Sequence, residues 1–362
     1  MISSPIKTAY IVRRQASGGG AEQAAKRLAE HLSADWKVHR LSAGMRLYGR
    51  TVAGTKGPGW WRAVRFARNV DALLKDRPGV ILSLERGPDC HIYRAGDGVH
   101  LRWRMLRFGS SPIWMINSLH WLYPRLEAKT VHSARFVAAN SKMVRREMET
   151  YYPWAAPKLR VVPNGYDPAV FFPDPVAALR VKTELGLSEP QKLFLFVGSG
   201  WERKGLGRAM ELVAGYNQTV GPDQSPGMLL VVGKGNPKAY AERMKGLNLM
   251  DHVRFVATRP DIVKFFQAAD FFLLPTLYDP FSNACLEALA CGCPVVTTQT
   301  NGLSEFIDHG RTGFILDDDP HAAVAWMRTA AIERGKVADS VAILTVEHEM
   351  RAFSDLMEAC SS

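Results

Sequence analysis

Short apolar runs alternate with segments of helical spacing along the whole 362-residue chain. This is the rhythm of an α/β fold built on parallel sheets. In the first half, residues 8–12, 80–84 and 135–139 read as buried strands, and residues 21–32 and 60–74 place apolar side chains at helical intervals. The second half is more regular. Strand candidates at 193–197, 228–232, 253–256, 271–274 and 295–298 are separated by helical segments near 204–219, 237–246, 260–269 and 282–291. Between the halves, Val162-Pro163-Asn164-Gly165-Tyr166-Asp167-Pro168 is followed by Pro173 and Pro175. An Asn-Gly pair among clustered prolines stops any regular element. The pattern therefore predicts domains at 1–167 and 168–340. An amphipathic segment over 341–359, set off by Gly335, predicts a closing helix within 341–362 whose host domain the sequence does not name.

Composition narrows the class. Apolar residues at 47% and charged residues at 22% match ordinary globular usage, which excludes disordered and fibrous chains. No run of 18 apolar residues exists to span a bilayer. The start, Met1-Ile2-Ser3-Ser4-Pro5, lacks a signal peptide's apolar region, so the expected address is the cytosol. Cys90, Cys285, Cys291, Cys293 and Cys360 show no paired Cys-x-x-Cys spacing, and neither a disulfide framework nor a zinc site is expected. Charge is divided unevenly. Residues 1–160 carry 28 Lys/Arg against 11 Asp/Glu, a balance of +17, while residues 161–362 carry 18 against 24, a balance of −6. A basic half attracts nucleic acid, anionic lipid or a phosphorylated substrate, and charge alone does not choose among them.

Three stretches carry candidate chemistry. Gly18-Gly19-Gly20 lies between the first strand and the first helix, where glycine permits close backbone approach to a phosphate or sugar, or simply a tight turn. Gly198-Ser199-Gly200-Trp201-Glu202-Arg203-Lys204-Gly205 follows a strand, at the sheet edge where ligands bind open α/β folds. There Arg203 offers a bidentate fork and Lys204 a point charge, a plausible clamp for a diphosphate. In the third stretch Asp279 precedes a helix start at Ser282, and Glu287 stands on a small, apolar helix face. Two carboxylates bracketing a helix N-terminus suit a ligand with both hydroxyls and a phosphate. A helix cap plus one paired core glutamate is the plainer account.

Taken in order, Pro163-Asn164-Gly165-Tyr166-Asp167, the Arg203-Lys204 stretch, and acid-x7-Glu with Ala290-Cys291-Gly292-Cys293-Pro294-Val295-Val296 resemble glycosyltransferase family 4. The resemblance implies a GT-B fold, two Rossmann-like domains facing each other across a cleft, and a retaining reaction. It is nearest the lipopolysaccharide core hexosyltransferases, through Tyr93-Arg94-Ala95-Gly96-Asp97-Gly98-Val99-His100 and the stretch after it. It implies a nucleotide-sugar donor, UDP-linked, a glycolipid acceptor, and no cofactor or metal ion. Arg203 and Lys204 would neutralise the donor diphosphate, and Glu287 would hold the ribose hydroxyls. Phe281, Ser282 and Asn283 would offer backbone amides, and Asp279 would touch the sugar. Gly18, Gly19, Gly20 and Gly198 would pass close to the donor, with Thr258 and Arg259 meeting the base through their backbone. Asp279, Arg203 and Lys204 are thereby catalytic candidates, and Asp97 and His100 candidates for the acceptor side, with Asp97 also beside the reacting centre.

Two positions depart from the family pattern. Asp279 stands where the family has glutamate, one methylene shorter, and Ser282 stands where many relatives have glycine, which would narrow the space for the sugar. On the residues alone, Asp97 is also read as a turn former and His100 as a structural histidine. Residues 101–125 mix Arg102, Arg104, Arg107 and Arg125 with Trp103, Phe108, Trp114, Trp121 and Tyr123. Such a mixture suits the interface of an anionic membrane, a phosphorylated glycolipid, single-stranded nucleic acid, or a tryptophan-rich core. The favoured expectation is a transferase peripheral on the cytoplasmic face of the inner membrane that binds no nucleic acid. The alternatives are a GDP-mannose-dependent mannosyltransferase of capsule or exopolysaccharide synthesis, and a basic nucleic-acid-binding α/β protein.

Overall fold

Two six-stranded parallel sheets organise the chain in a computed structural model that describes residues 7–15, 20–53, 56–187, 190–221, 225–317 and 319–361. The chain divides into one unit of Met1–Pro163 with Glu347–Ser362 and a second of Asn164–Val346.

In the first unit the strands are β1 (Lys7–Val12), β2 (Trp36–Leu41), β3 (Val80–Ser83), β4 (Ile92–Arg94), β5 (Phe136–Ala139) and β6 (Leu159–Val161), in the order β2-β1-β3-β4-β5-β6. Ala9 to Val12 are all buried, as a central parallel strand covered on both faces requires. β2 escapes a reading by apolar runs. Only Trp36 and Leu41 are buried in Trp-Lys-Val-His-Arg-Leu, because an edge strand keeps polar side chains in solvent. The helices that matter below are α1 (Gly20–Leu32), α2 (Gly59–Leu74), α3 (His100–Phe108) and α4 (Leu119–Ser133).

The second unit holds β7 (Leu193–Val197), β8 (Met228–Val232), β9 (Val253–Val256), β10 (Phe271–Leu274), β11 (Val295–Thr298) and β12 (Gly313–Leu316), ordered β9-β8-β7-β10-β11-β12. That is the Rossmann strand order, with its switch point between β7 and β10. Its core joins Phe194, Phe196, Phe266 and Phe272 to the apolar face of α5 (Leu206–Gln218). α6 (Asn283–Ala290) connects β10 to β11.

The stretch read as the domain boundary is tied into the second unit. Tyr166 bridges Thr345, its N–H donates to Leu344 O at 2.9 Å, and Val346 N donates to Tyr166 O at 2.8 Å, so the two ends of the second unit are stitched together. The division therefore falls after Pro163 rather than after Asp167. The closing helix is α7 (Val346–Ser361), and it belongs to the first unit. Its buried Glu349 pairs with Arg94 at 3.1 Å and Arg27 at 3.5 Å, and Ser354 meets His31 at 3.1 Å.

Candidate functional site

In the second unit, β7 ends at Gly198, whose φ of +140° suits glycine alone. A Cβ there would lie 2.7 Å from Lys204 Cδ, so the missing side chain is what lets the lysine stem lie across the strand end. β8 ends the same way at Gly233, where a Cβ would sit 2.2 Å from Gly198 O. Residues Trp201–Lys204 form one helical turn, pinned by buried Trp201 against Phe255 and Tyr240. The carbonyl of Arg203 accepts from Leu277 N at 2.8 Å and Thr276 Oγ1 at 3.0 Å, while Arg203 Nη1 donates to Tyr278 O at 2.7 Å. These bonds tie the turn to the segment after β10 and set Asp279 beside both cations. Asp279 Oδ2 lies 3.7 Å from Arg203 Nη1 and 3.5 Å from Lys204 Nζ. Asp279 is itself held through its backbone, by Thr300 O at 3.0 Å and Gly302 N at 2.9 Å.

Directly after it, α6 begins. Ser282 is buried, and its hydroxyl accepts from Cys285 N at 3.3 Å, so the side chain expected to narrow a sugar site is used as the helix cap. Asn301 Oδ1 accepts from Ser282 N at 3.3 Å and Leu303 N at 3.2 Å, fixing the turn before the helix. Asn283, Ala284 and Glu287 form the part-exposed stripe of α6, and Asn164 Nδ2 donates to Asn283 Oδ1 at 2.7 Å. Phe281 is buried edge-on to Phe306, which leaves its backbone as what it can offer a ligand. The first amides of a helix have no acceptor within it and favour an anion. Arg203, Lys204 and Asp279 are thus gathered at the carboxyl ends of β7 and β10, just before α6 begins. Arg259 is not part of that group. Thr258 and Arg259 are exposed after β9, and Arg259 forks onto Asp261 at 2.8 and 2.9 Å. Gly18 and Gly19 lie outside the described residues, and Gly20 is the exposed first residue of α1.

Sequence reasoning missed Gly233 and Asn301, and named Asn164 only within the motif that carries the family resemblance, without a role. Gly233-Lys234-Gly235 repeats the strand-then-glycine signal of Gly198-Ser199-Gly200 and was legible by the same rule. Asn164 and Asn301 act through contacts distant in sequence, which no local pattern announces.

In the first unit, Asp97 occupies a turn between Gly96 and Gly98, just after β4. Its Oδ2 lies 3.5 Å from Arg13 Nη1 and 3.5 Å from Arg86 Nη1, and the side chain is 43% exposed. Both arginines are engaged elsewhere. Arg13 Nε pairs with Glu22 at 3.0 Å, and Arg86 Nε pairs with fully buried Glu127 at 2.8 Å. Glu127 also accepts from His100 N at 3.1 Å and Tyr152 OH at 2.9 Å. Desolvation alone would raise the Asp97 pKa, but Arg86 and Arg13 outweigh it and hold the carboxyl below its usual range. Asp97 therefore stays ionised and is a weak base. His100, expected to face an acceptor, is buried, with Nε2 at 3.0 Å from His120 Nδ1. Burial first, then the charges of Arg86, His120 and Arg104, push its pKa down to about 3, so the ring is neutral at ordinary pH.

The basic, aromatic stretch does not form a tryptophan-rich core. Met105, Ile113, Met115, Ile116 and Trp121 are exposed, Ile116 at 87%. Trp103 and Trp114 are part-exposed, under Arg107 at 5.4 Å and Arg104 at 4.0 Å respectively, and Arg102 pairs with Glu147 at 3.5 Å. Among the described residues no helix is long and apolar enough to cross a membrane.

Residues 18–170 match the model of Glycosyltransferase Family 4, and residues 180–340 match that of Glycosyl transferases group 1. The chain belongs to glycosyltransferase family 4. Among its family-4 relatives it is 28% identical over 218 residues to the D-inositol 3-phosphate glycosyltransferase of Jonesia denitrificans, matching 58% of this chain and 51% of that one. It is 24% identical over 249 residues to the lipopolysaccharide glucosyltransferase WaaG of Escherichia coli, covering 67% and 65% of the two chains. The chain thus spans about half the length of the first of these relatives. A crystal structure of WaaG aligns over 98% of this chain and 93% of its own at a TM-score of 0.73 and 20% identity. Anabaena HepE, solved with UDP and glucose, aligns over 98% and 100% at 0.70 and 16% identity. The family-4 chain shares with both the fold of two Rossmann-like halves.

Proposed function

We propose that this chain is a retaining hexosyltransferase that takes its sugar from a UDP-sugar and delivers it to a lipopolysaccharide core saccharide or a similar glycolipid. The observation that carries the reading is the convergence of Arg203, Lys204, Asp279 and the start of α6 at the switch point of the second sheet. Arg203 and Lys204 receive the diphosphate, the opening amides of α6 share its charge, Asp279 accepts from sugar hydroxyls, and Glu287 accepts from the ribose. The loop at Thr258 and Arg259 meets the base through its backbone. In the reaction the bond from the anomeric carbon to the diphosphate oxygen breaks. The acceptor oxygen bonds to that carbon on the same face, and its proton passes to the departing phosphate. With the proton so placed the protein needs no strong base, and an Asp97 held ionised by two arginines fits a role in orienting the acceptor hydroxyl. Two protein cations at the diphosphate supply the charge that a metal ion would otherwise bring.

A neutral saccharide acceptor is favoured over a phosphorylated one by the first unit, where Arg13 and Arg86 are each already matched by a carboxylate. The exposed apolar and basic residues from Met105 to Trp121 support a peripheral place on an anionic membrane, on the cytoplasmic face of the inner membrane. Unfolding measured with UDP and GDP in parallel tests the donor. A ligand at a hundred times its dissociation constant stabilises by about 2.7 kcal/mol. UDP is expected to raise the midpoint and GDP to raise it less, with or without chelator. A larger shift with GDP would replace the reading by a mannosyltransferase, and a shift that vanishes with chelator would remove the two-cation clamp.

A further inference from the structure

At the amino ends of β7 and β10, away from the carboxyl ends that carry Arg203 and Asp279, a cavity of about 230 Å³ opens in the second unit. Phe271, Met327 and Ile332 give it apolar walls, and Lys192, Arg328 and Arg334 bring three cations to it against one carboxylate, Asp270. That carboxylate is already matched. It lies 3.0 Å from Lys182 Nζ and 3.5 Å from Lys192 Nζ, and it accepts from Leu193 N at 2.8 Å. Arg334 is half-buried, and its two Nη atoms donate to Gln267 O at 2.8 Å and Ala269 O at 2.6 Å. Carbonyls satisfy those N–H groups without cancelling the charge. The adjacent Glu333 pairs with Lys336 at 2.7 Å, and among the described residues no carboxylate stands at ion-pair distance from Arg334. Arg328, also half-buried, is placed by the Tyr216 ring, 5.3 Å from its centre.

We propose that this cavity is a binding site for a small phosphate oxyanion, separate from the donor site. Charge selects the class. The surplus is positive although residues 161–362 as a whole balance to −6, so it is a local feature of this end of the sheet. Cations beside apolar walls attract an anion more strongly than the same cations in open solvent. A guanidinium fork matches the oxygens of a phosphate, and Lys192 adds a point charge at the rim. Size selects within the class. The volume lies below the roughly 300–1,000 Å³ of ordinary ligand pockets, so a nucleotide or a nucleotide sugar is too large. A neutral sugar of any size would leave the cations unmatched. The inference goes beyond the donor reading and does not depend on it.

The test uses the full chain with its donor site either filled or disabled. Inorganic phosphate is titrated at constant ionic strength and followed by its phosphorus NMR line width, in the native chain saturated with UDP and in Arg203→Ala without nucleotide. Saturable broadening with the same affinity in both is expected. Lys192→Gln and Arg328→Gln should each weaken it by about tenfold or more, the scale of one charge-assisted bond, with UDP affinity unchanged. Arg334→Gln should abolish it. That change also frees two carbonyls, so its unfolding midpoint is measured alongside, and the two rim variants decide the matter if it does not fold. Glycerol phosphate is the second probe. Weaker binding than inorganic phosphate assigns the site to the free anion, and equal binding assigns it to a phosphomonoester headgroup, with the same oxyanion chemistry. Phosphate binding that UDP abolishes, an affinity unchanged in either rim variant, or no saturable binding at all overturns the site. The Arg203→Ala arm contains no nucleotide, so failure of the UDP-sugar reading is told apart from failure of this cavity.

Discussion

The two units place the same device at the same address and tune it in opposite directions. In each sheet a carboxylate sits between two cations past the carboxyl ends of the strands, Asp97 between Arg13 and Arg86 in the first, Asp279 between Arg203 and Lys204 in the second. The distances are nearly equal. What differs is the next neighbour. In the first unit Glu22, Glu85 and Glu127 stand behind the arginines, so the local charge is spent within the protein. In the second, among the described residues, Asp279 is the carboxylate at ion-pair distance from both cations, and Arg203 keeps a side chain 35% exposed. Surplus positive charge beside a helix start suits a diphosphate, whereas a balanced network suits a neutral hydroxylated ligand. The global charge runs the other way, +17 over residues 1–160 and −6 over the remainder. Net charge therefore reports on the surface, and the pairing of individual groups reports on the site.

The comparison breaks most visibly at Glu127. Removing one partner of a buried ion pair leaves the other uncompensated, at a cost of roughly 3–5 kcal/mol. Glu127→Ala should lose stability of that order in denaturant unfolding, because it strands Arg86 and the Tyr152 hydroxyl together. A loss below about 1 kcal/mol would mean that the first unit's cations are not internally balanced. The surface is next in size. Each Arg near an anionic bilayer is worth about 1 kcal/mol, so replacing Arg102, Arg104 and Arg107 with serine should release the chain from anionic vesicles by a total of about 3 kcal/mol while leaving UDP binding intact. Rising salt should weaken the native interaction. Equal binding to neutral vesicles would assign the exposed apolar residues another partner.

Much of this was legible in the sequence, for identifiable reasons. Buried parallel strands are continuous apolar runs, and all eight proposed from that signal are present within a residue at either end. The strands that were missed, β2, β4, β6 and β12, are at sheet edges or too short and polar to stand out, as Ile92-Tyr93-Arg94 shows. Arg203, Lys204 and Asp279 could be named because each lies just past a strand in a local motif. Their mutual geometry depends on Arg203 reaching Tyr278 O, and that was not written in either motif. The sequence left His100 open between an acceptor contact and a structural histidine for a similar reason. The residues that bury it, His120 and Tyr123, lie on the following helix, and spacing does not tell which way an imidazole turns.

His100 supplies a smaller, pH-dependent contrast. Its pKa is near 3 in the folded chain against about 6.5 in a free peptide, so the unfolded state binds the extra proton between those values. Stability must then fall as pH drops below about 6.5, by up to about 1.4 kcal/mol per pH unit from this group, until the folded pKa is passed. His100→Gln should flatten that part of the profile in thermal unfolding between pH 4 and 7. An unchanged slope would show that the ring is not buried as described.

The central claim is that the second unit's cations, and not the first unit's, receive the diphosphate. Calorimetric titration of UDP into the native chain, Arg203→Ala, Lys204→Ala and Asp97→Asn tests it most directly. Losing a charge-assisted hydrogen bond costs about 1.5–3 kcal/mol, so each second-unit variant should bind UDP roughly 10- to 150-fold more weakly. Asp97→Asn should bind UDP as the native chain does while transferring sugar far more slowly. Undiminished UDP affinity in Arg203→Ala and Lys204→Ala, or an equal loss in Asp97→Asn, would contradict the account.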